Sequence, residues 1–225
     1  MSPKEVSTIL FDMDGVLFDT MPLHVSSWME TSKNYNLKAE PEEFYLFEGQ
    51  PGRETIRHLY LRTFQKEPEQ ELVEEIYSYK TSRFMENAGT NQLIPGIVDI
   101  FELASQKGWN IGVVTGSSQR TSLDKLQQYF GRYVSISQII TGDDVKRGKP
   151  SPEPYEKGMN LFDSSPEETL VIENAPFGVQ SASSAGAYTI AITTGPIRDE
   201  VLKESGADRV FSDMYALKKW LLECY

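Results

Sequence analysis

Short apolar runs alternate with longer amphipathic stretches through most of the chain. The runs at 8–11, 111–114, 136–140, 170–172, 188–192 and 209–211 read as β-strands. Several are continuously apolar rather than alternating, the pattern of parallel strands covered on both faces. Between them, 97–107, 119–130, 153–161, 177–185, 198–205 and 214–223 carry helical periodicity. Gly131, Gly186 and Gly206 fall near helix ends, where a left-handed cap is expected. Repeated strand–helix order predicts an α/β fold: a Rossmann-like parallel sheet with helices on both faces.

One segment breaks the alternation. From about Phe18 to Asn91 there are helix patterns and no convincing strand. Leu72, Val73, Ile76, Tyr77 and Phe84 line one helical face, and Ile56, Leu59, Tyr60 and Phe64 line another. A helical module is therefore expected after the first strand, with the core resuming near Leu93 and Pro95-Gly96 marking re-entry. The predicted division is a core of 1–17 and 91–225 with an inserted helical cap of 18–90.

The most informative motif closes the first strand: Phe11-Asp12-Met13-Asp14-Gly15-Val16-Leu17-Phe18-Asp19-Thr20. Side chains two apart on an extended chain point the same way, so Asp12 and Asp14 can converge. Open α/β sheets place ligands at this edge. A calcium loop does not fit, because Val16 takes the fifth ligand position and Leu23 stands where a bidentate Glu belongs. Three further motifs also end strands or enter helices. Thr115-Gly116-Ser117-Ser118 offers hydroxyls and anion-binding N–H groups, or a plain N-cap by Ser117 or Ser118. Gly148-Lys149-Pro150-Ser151-Pro152-Glu153-Pro154 fixes a lysine in an extended segment, or leaves it on a surface loop. Leu170-Val171-Ile172-Glu173-Asn174-Ala175-Pro176 ends a strand with Glu-Asn, where Asn174 could simply cap a helix. Each is weak alone. Together they supply a nucleophile, a hard-cation site, hydroxyl donors and a fixed cation, the parts that phosphoryl transfer requires.

Composition narrows the partners. The 225 residues carry Lys+Arg 22 and Asp+Glu 33, a net charge of −11, with 39% hydrophobic and 24% charged residues. That is a globular composition whose charge argues against nucleic acid and anionic membrane as partners. Screening confines the field to about 8–10 Å, so local groups decide affinity for an anion. The single cysteine and two histidines cannot build a Cys- or His-rich zinc centre. No apolar stretch suits a signal sequence or a membrane span. A cytoplasmic monomer is the expectation.

The ordered motifs Asp12-x-Asp14-Gly15-Val16, Thr115-Gly116-Ser117, Lys149-Pro150 and Glu173-Asn174 resemble the haloacid dehalogenase superfamily of phosphotransferases. The helical insertion resembles its subclass with an α-helical cap. His24 with Trp28, and Gly148 to Tyr155, look like the β-phosphoglucomutase-like branch. The resemblance covers nearly the whole chain. It implies that Asp12 is phosphorylated and that Asp14 acts as acid and base. Mg²⁺ would sit on Asp12, the Asp14 main-chain carbonyl, Glu173 and Asn174. Thr115, Gly116 and Ser117 would hold phosphoryl oxygens, and Lys149 would neutralise charge. Asn174 departs from the Glu-Asp pair common in that branch and predicts a weaker metal site. The cap residues expected to meet substrate are His24, Glu48, Arg53 and Lys80; a solvent-directed Lys80 and a half-buried His24 are the plain alternatives.

The acceptor decides the reaction. Water makes a phosphohydrolase; a sugar phosphate makes a mutase whose cap grips a second phosphate, for instance with Arg53 and Lys80. Glu48, if it points inward, would repel that phosphate, which favours hydrolysis of a small phosphate compound; inorganic pyrophosphate leads because some chains that resemble this one hydrolyse it and it would fill a compact cavity. A phosphoryl-accepting regulatory domain shares the acid, hydroxyl and lysine set but needs no cap, and a catalytically dead scaffold would not need the full set.

Overall fold

The computed structural model describes Pro3 and residues 5–87, 92–117 and 120–225. Ser118 and part of the expected junction near Asn91 lie outside these residues. Six strands form one sheet: β1 (Thr8–Phe11), β2 (Asn110–Val114), β3 (Ile139–Ile140), β4 (Thr169–Glu173), β5 (Tyr188–Ile192) and β6 (Arg209–Phe211). Their order is β3-β2-β1-β4-β5-β6 and every pairing is parallel. The central β1 is flanked by β2 and β4, so the chain reverses its direction of travel across the sheet there. A crevice opens at the strand carboxyl ends beside such a reversal.

The continuous apolar runs have a plain cause. Odd-numbered Ile9 and Phe11 face a core shared with Ile100, Phe101, Leu217 and Leu221, from α5 (Ile97–Gln106) and α10 (Met214–Cys224). Even-numbered Leu10 faces Tyr155, Met159 and Ala182, from α7 (Glu153–Asn160) and α8 (Pro176–Ser184). Both faces are dry, so neither can be polar. Each such side chain contributes about 1.5–3 kcal/mol on burial.

Two expectations change. The run at 136–140 is a strand only at its last two residues; 136–138 form a 3₁₀ turn. Ser135 and Gln138 cap that turn reciprocally, and Ile136 is 68% exposed. Gly186 and Gly206 have positive φ as expected, but Gly131 does not.

Residues 18–87 contain no extended strand among those described, only helices α1 (Met21–Asn34), α2 (Glu43–Leu46), α3 (Gly52–Phe64) and α4 (Gln70–Asn87). Trp28, Leu37, Phe44, Ile56, Leu59, Val73 and Ile76 form their own buried cluster. Phe64, expected on the apolar face of α3, is 41% exposed. The chain enters and leaves this module side by side. Phe18 bridges Leu93 in antiparallel sense, Asp19 N–H donates to Gln92 O at 2.8 Å, and Ile94 N–H donates to Leu17 O at 3.0 Å. The remaining helices are α6 (Arg120–Phe130), after β2, and α9 (Asp199–Glu204), after β5.

Candidate active site

The four motifs meet at the carboxyl edge of β1, β2 and β4. Asp12 and Asp14 follow β1, Thr115 follows β2, and Glu173-Asn174 ends β4; all five are buried, as is Lys149. Lys149 Nζ donates to Asp12 Oδ1 and Glu173 Oε1, both at 2.6 Å, and to Val114 O at 3.1 Å. Its three protons are thereby used, and it is no surface lysine. Burial works against its charge, but Asp12 and Glu173 outweigh burial and raise its pKa.

Two buried carboxylates, Asp12 and Glu173, share the Lys149 ammonium, and Asp14 lies close enough to Asp12 to act on it. Burial therefore pushes Asp12 up to about 7, against Lys149 and with help from Glu173 and Asp14. Burial also acts to raise Asp14, yet its net shift is downward, because His24, Thr20 and Lys80 stabilise the carboxylate. The Thr20 hydroxyl donates to Asp14 Oδ1, and His24 Nε2 stands 3.4 Å from the same oxygen. Thr20 was not singled out from sequence, although it closes the first motif.

Among the described residues here, two oxygens are buried without a hydrogen-bond partner, Asp12 Oδ2 and Asn174 Oδ1, as is the ring nitrogen His24 Nε2. Asn174 is not a cap, since Ala175 takes the N-cap position of α8. Leaving a buried acceptor unmet is costly, so both oxygens suit an absent donor or cation. Oxygen donors from a carboxylate and an amide, with a main-chain carbonyl, match a hard cation such as Mg²⁺. Among the described residues no cluster of three or more His, Cys, Asp or Glu side chains gathers as a self-contained metal centre. Glu173, expected among the ligands, has both oxygens engaged elsewhere. Oε1 accepts from Lys149 and from the Tyr155 hydroxyl at 2.6 Å, and Oε2 accepts from Asn174 N–H at 3.0 Å. Tyr155, at the end of the lysine motif, was given no role from sequence.

On the β2 side, Ser117 N–H donates to Thr115 Oγ1 at 3.0 Å, an internal turn that occupies the N–H assigned to phosphate from sequence. Gly116 lies at the boundary of two cavities.

The smaller cavity, about 70 Å³, is bounded by Asp14, His24, Glu48, Lys80, Gly116 and Ser117. Lys80 does not reach solvent. It is 5% exposed, its Nζ lies 2.9 Å from His24 Nδ1, and the ammonium stands over the rings of Trp28 and Phe84 at 5.1 and 5.0 Å. Burial lowers Lys80 to about 8 despite Glu48 and Asp14. Burial likewise lowers His24, with Lys80 adding to the effect. Burial raises Glu48 to about 8, reinforced by Asp14 and Asp12. Arg53 is placed apart from this group. It is half exposed, makes a bidentate pair with Glu74 and lies over the Tyr77 ring at 4.3 Å. It lines the rim of the larger cavity, about 470 Å³, with Thr115, Lys146 and Lys149. Its charge is met by Glu74, which weakens the expectation that it grips a second phosphate.

A parallel α/β sheet with an acid pair, a lysine and a hydroxyl at its switch point defines a phosphoryl-transfer class of enzyme. The family model described as haloacid dehalogenase-like hydrolase matches residues 9–192. The chain belongs to that family and is an enzyme of the phosphatase/phosphotransferase type. It is 28% identical over 204 residues to the phosphorylated carbohydrates phosphatase of Thermotoga maritima, covering 90% of this chain and 92% of that protein. It is 28% identical over 214 residues to pyrophosphatase PpaX of Oceanobacillus iheyensis, covering 93% and 94%. A solved structure from Bacteroides vulgatus, described as a candidate beta-phosphoglucomutase, superposes with a TM-score of 0.93 at 37% identity, covering 99% of this chain and 90% of that one.

Proposed function

We propose that this chain is a Mg²⁺-dependent phosphohydrolase of small phosphorylated compounds, with inorganic pyrophosphate the first candidate, working through phosphorylated Asp12. We read residues 18–90 as the cap that closes over the core. The carrying observation is the small cavity: about 70 Å³, walled by Glu48, His24 and Lys80 together with Asp14. Small-molecule pockets usually exceed about 300 Å³. A phosphoryl-sized leaving group suits that space, while the adjoining cavity of about 470 Å³ opens from Gly116 toward Lys146 and Arg53.

Asp12, pinned through Oδ1 by Lys149, attacks phosphorus through its carboxylate as the bond to the leaving oxygen breaks. Thr115 and Lys149 line the phosphoryl side and offset its charge. In the second half-reaction Asp14 takes a proton from water, the water oxygen attacks phosphorus, and Asp12 is released with orthophosphate. Mg²⁺ would be held by Asp12, Asn174 and the Asp14 main-chain carbonyl, and supplies Lewis-acid stabilisation of the phosphoryl charge when bound.

The downward shift of Asp14 bears on the leaving group. An acid held ionised is ready as a base but is a weak proton donor. Orthophosphate leaves with less protonation than a sugar alkoxide, so this acid matches pyrophosphate better than an alkyl ester. The PpaX relatives support the same choice. The candidate beta-phosphoglucomutase neighbour supports a mutase instead. Against it stand Glu48 beside the cavity and the pairing of Arg53 with Glu74.

Phosphate release from a panel of pyrophosphate, sugar phosphates and p-nitrophenyl phosphate, beside conversion of β-glucose 1-phosphate to glucose 6-phosphate, tests the proposal. Pyrophosphate should lead, chelator should stop it, and Asp12→Asn should lose about a thousandfold or more. Mutase turnover above hydrolysis, or unchanged Asp12→Asn turnover, would refute it.

A further inference from the structure

Glu173 sits in the metal-binding motif but its contacts belong to something else. Oε1 accepts from Lys149 Nζ and Tyr155 Oη, each at 2.6 Å; Oε2 accepts from Asn174 N–H at 3.0 Å and Ala175 N–H at 3.5 Å. The carboxylate lies against the first turn of α8, where a Cβ on Gly178 would stand 1.9 Å from Oε1 and 2.3 Å from Oε2. The helix keeps room for it by carrying glycine there. Tyr155 is 0% exposed, and Lys149 Nζ lies 5.0 Å from its ring centre. Burial, with Glu173 and Asp12 beside it, raises the phenol well above its ordinary pKa, so it stays a proton donor. The two neighbouring buried oxygens, Asp12 Oδ2 and Asn174 Oδ1, have no partner at all.

From this contrast we infer that Glu173 and Tyr155 are positioning residues, a clamp that fixes Lys149 against the nucleophile, while Asn174, without Glu173, provides the β4 side chain to the metal. The ligand half of this rests on the proposed function. The physical logic is geometric. Every Lys149 proton is committed, so the ammonium has one position, and that position orients the Asp12 carboxylate through Oδ1. Tyr155 holds one oxygen of Glu173 and the α8 N-terminus holds the other, which stops the carboxylate from rotating toward a cation. Without the phenol hydroxyl, Glu173 Oε1 keeps only Lys149, and the nucleophile loses its fixed orientation. Small misplacements of reacting groups are costly in rate rather than in binding.

The test uses the full chain with three variants, Tyr155→Phe, Glu173→Gln and Asn174→Ala. Mg²⁺ alone is titrated by calorimetry, and kcat and KM are measured with pyrophosphate and p-nitrophenyl phosphate. Melting curves establish folding, and Glu173→Gln serves if Tyr155→Phe does not fold. Tyr155→Phe should lower kcat about tenfold or more on both substrates, with KM and the Mg²⁺ Kd within about threefold of wild type. Glu173→Gln should behave alike with a larger kcat loss. Asn174→Ala should raise the Mg²⁺ Kd about tenfold or more. Wild-type kcat in Tyr155→Phe overturns the clamp, and so does a Glu173→Gln Kd raised as far as that of Asn174→Ala; both leave the proposed function standing. Wild-type protein that binds no Mg²⁺ and releases no phosphate overturns the function, and the ligand assignment with it.

Discussion

Lys80 and His24 set the state of Asp14 through one ring. The Lys80 ammonium can only donate, so His24 Nδ1 accepts and the ring proton sits on Nε2, facing Asp14 Oδ1 at 3.4 Å. Burial and the Lys80 charge together keep the ring neutral. Lys80→Met removes that charge and should raise the His24 pKa, observable as an NMR titration midpoint of the imidazole moved to higher pH. It should also lower turnover, since Asp14 loses a nearby positive charge. An unmoved His24 titration would separate the two residues. Lys80 is a lysine on an apolar helix face whose stem packs inward and whose head stays there, held by two aromatic rings and an imidazole.

Among the elements, strand ends and the helix that follows β4 do the positioning. Glu173 lies so close to α8 that Gly178 leaves no space for a methyl group. Gly178→Ala should cost about 1–3 kcal/mol, the range for overpacking a dense site, and should lower activity beyond what the melting shift explains. A denaturant series with parallel assays checks this; a neutral substitution would mean that Glu173 is free to move aside. The strands were legible in sequence because burial on both faces leaves continuous apolar runs at 8–11, 111–114 and 188–192. The run at 136–140 misled because Ile136 counts as apolar while facing water. Asp12, Asp14 and Lys149 were legible from local motifs and their order. The contacts of Glu173 with Lys149 and Tyr155 were not, because the three meet only after β4 pairs with β1 and α7 packs against Leu10. Sequence spacing gives the residue types but not which oxygen each donor reaches. Arg53 shows the same limit: its partner Glu74 is 21 positions away on a neighbouring helix.

At the scale of the whole molecule, charge inside the site couples to stability. Glu48 is raised to about 8 from an ordinary 4.5, so the folded state holds its proton more tightly than the unfolded chain between those values. Stability from this group therefore falls as pH rises from about 4.5 to 8 and stays low above. Lys80, lowered to about 8 from 10.5, has the opposite consequence in the next window. There the unfolded chain binds more protons, so stability rises from about pH 8 to 10.5. In Mg²⁺-free buffer Glu48→Gln should melt above wild type at pH 8, by a margin that vanishes near pH 5. Equal melting temperatures at pH 8 would show that Glu48 is solvated in the folded state. No helix among the described residues is long and apolar enough to cross a membrane.

The paired neck at Phe18 and Leu93 has a consequence for how such a molecule diversifies. Because outgoing and incoming chains are already zipped together, whatever lies between them starts and finishes at nearly one point in space. Lengthening or swapping that interior adds little closure entropy, since the loss grows only with the logarithm of the excursion. The floor of the molecule can thus keep its chemistry while the roof is exchanged like an interchangeable cassette, and a roof grafted from a relative at these two positions should fold on an undisturbed base.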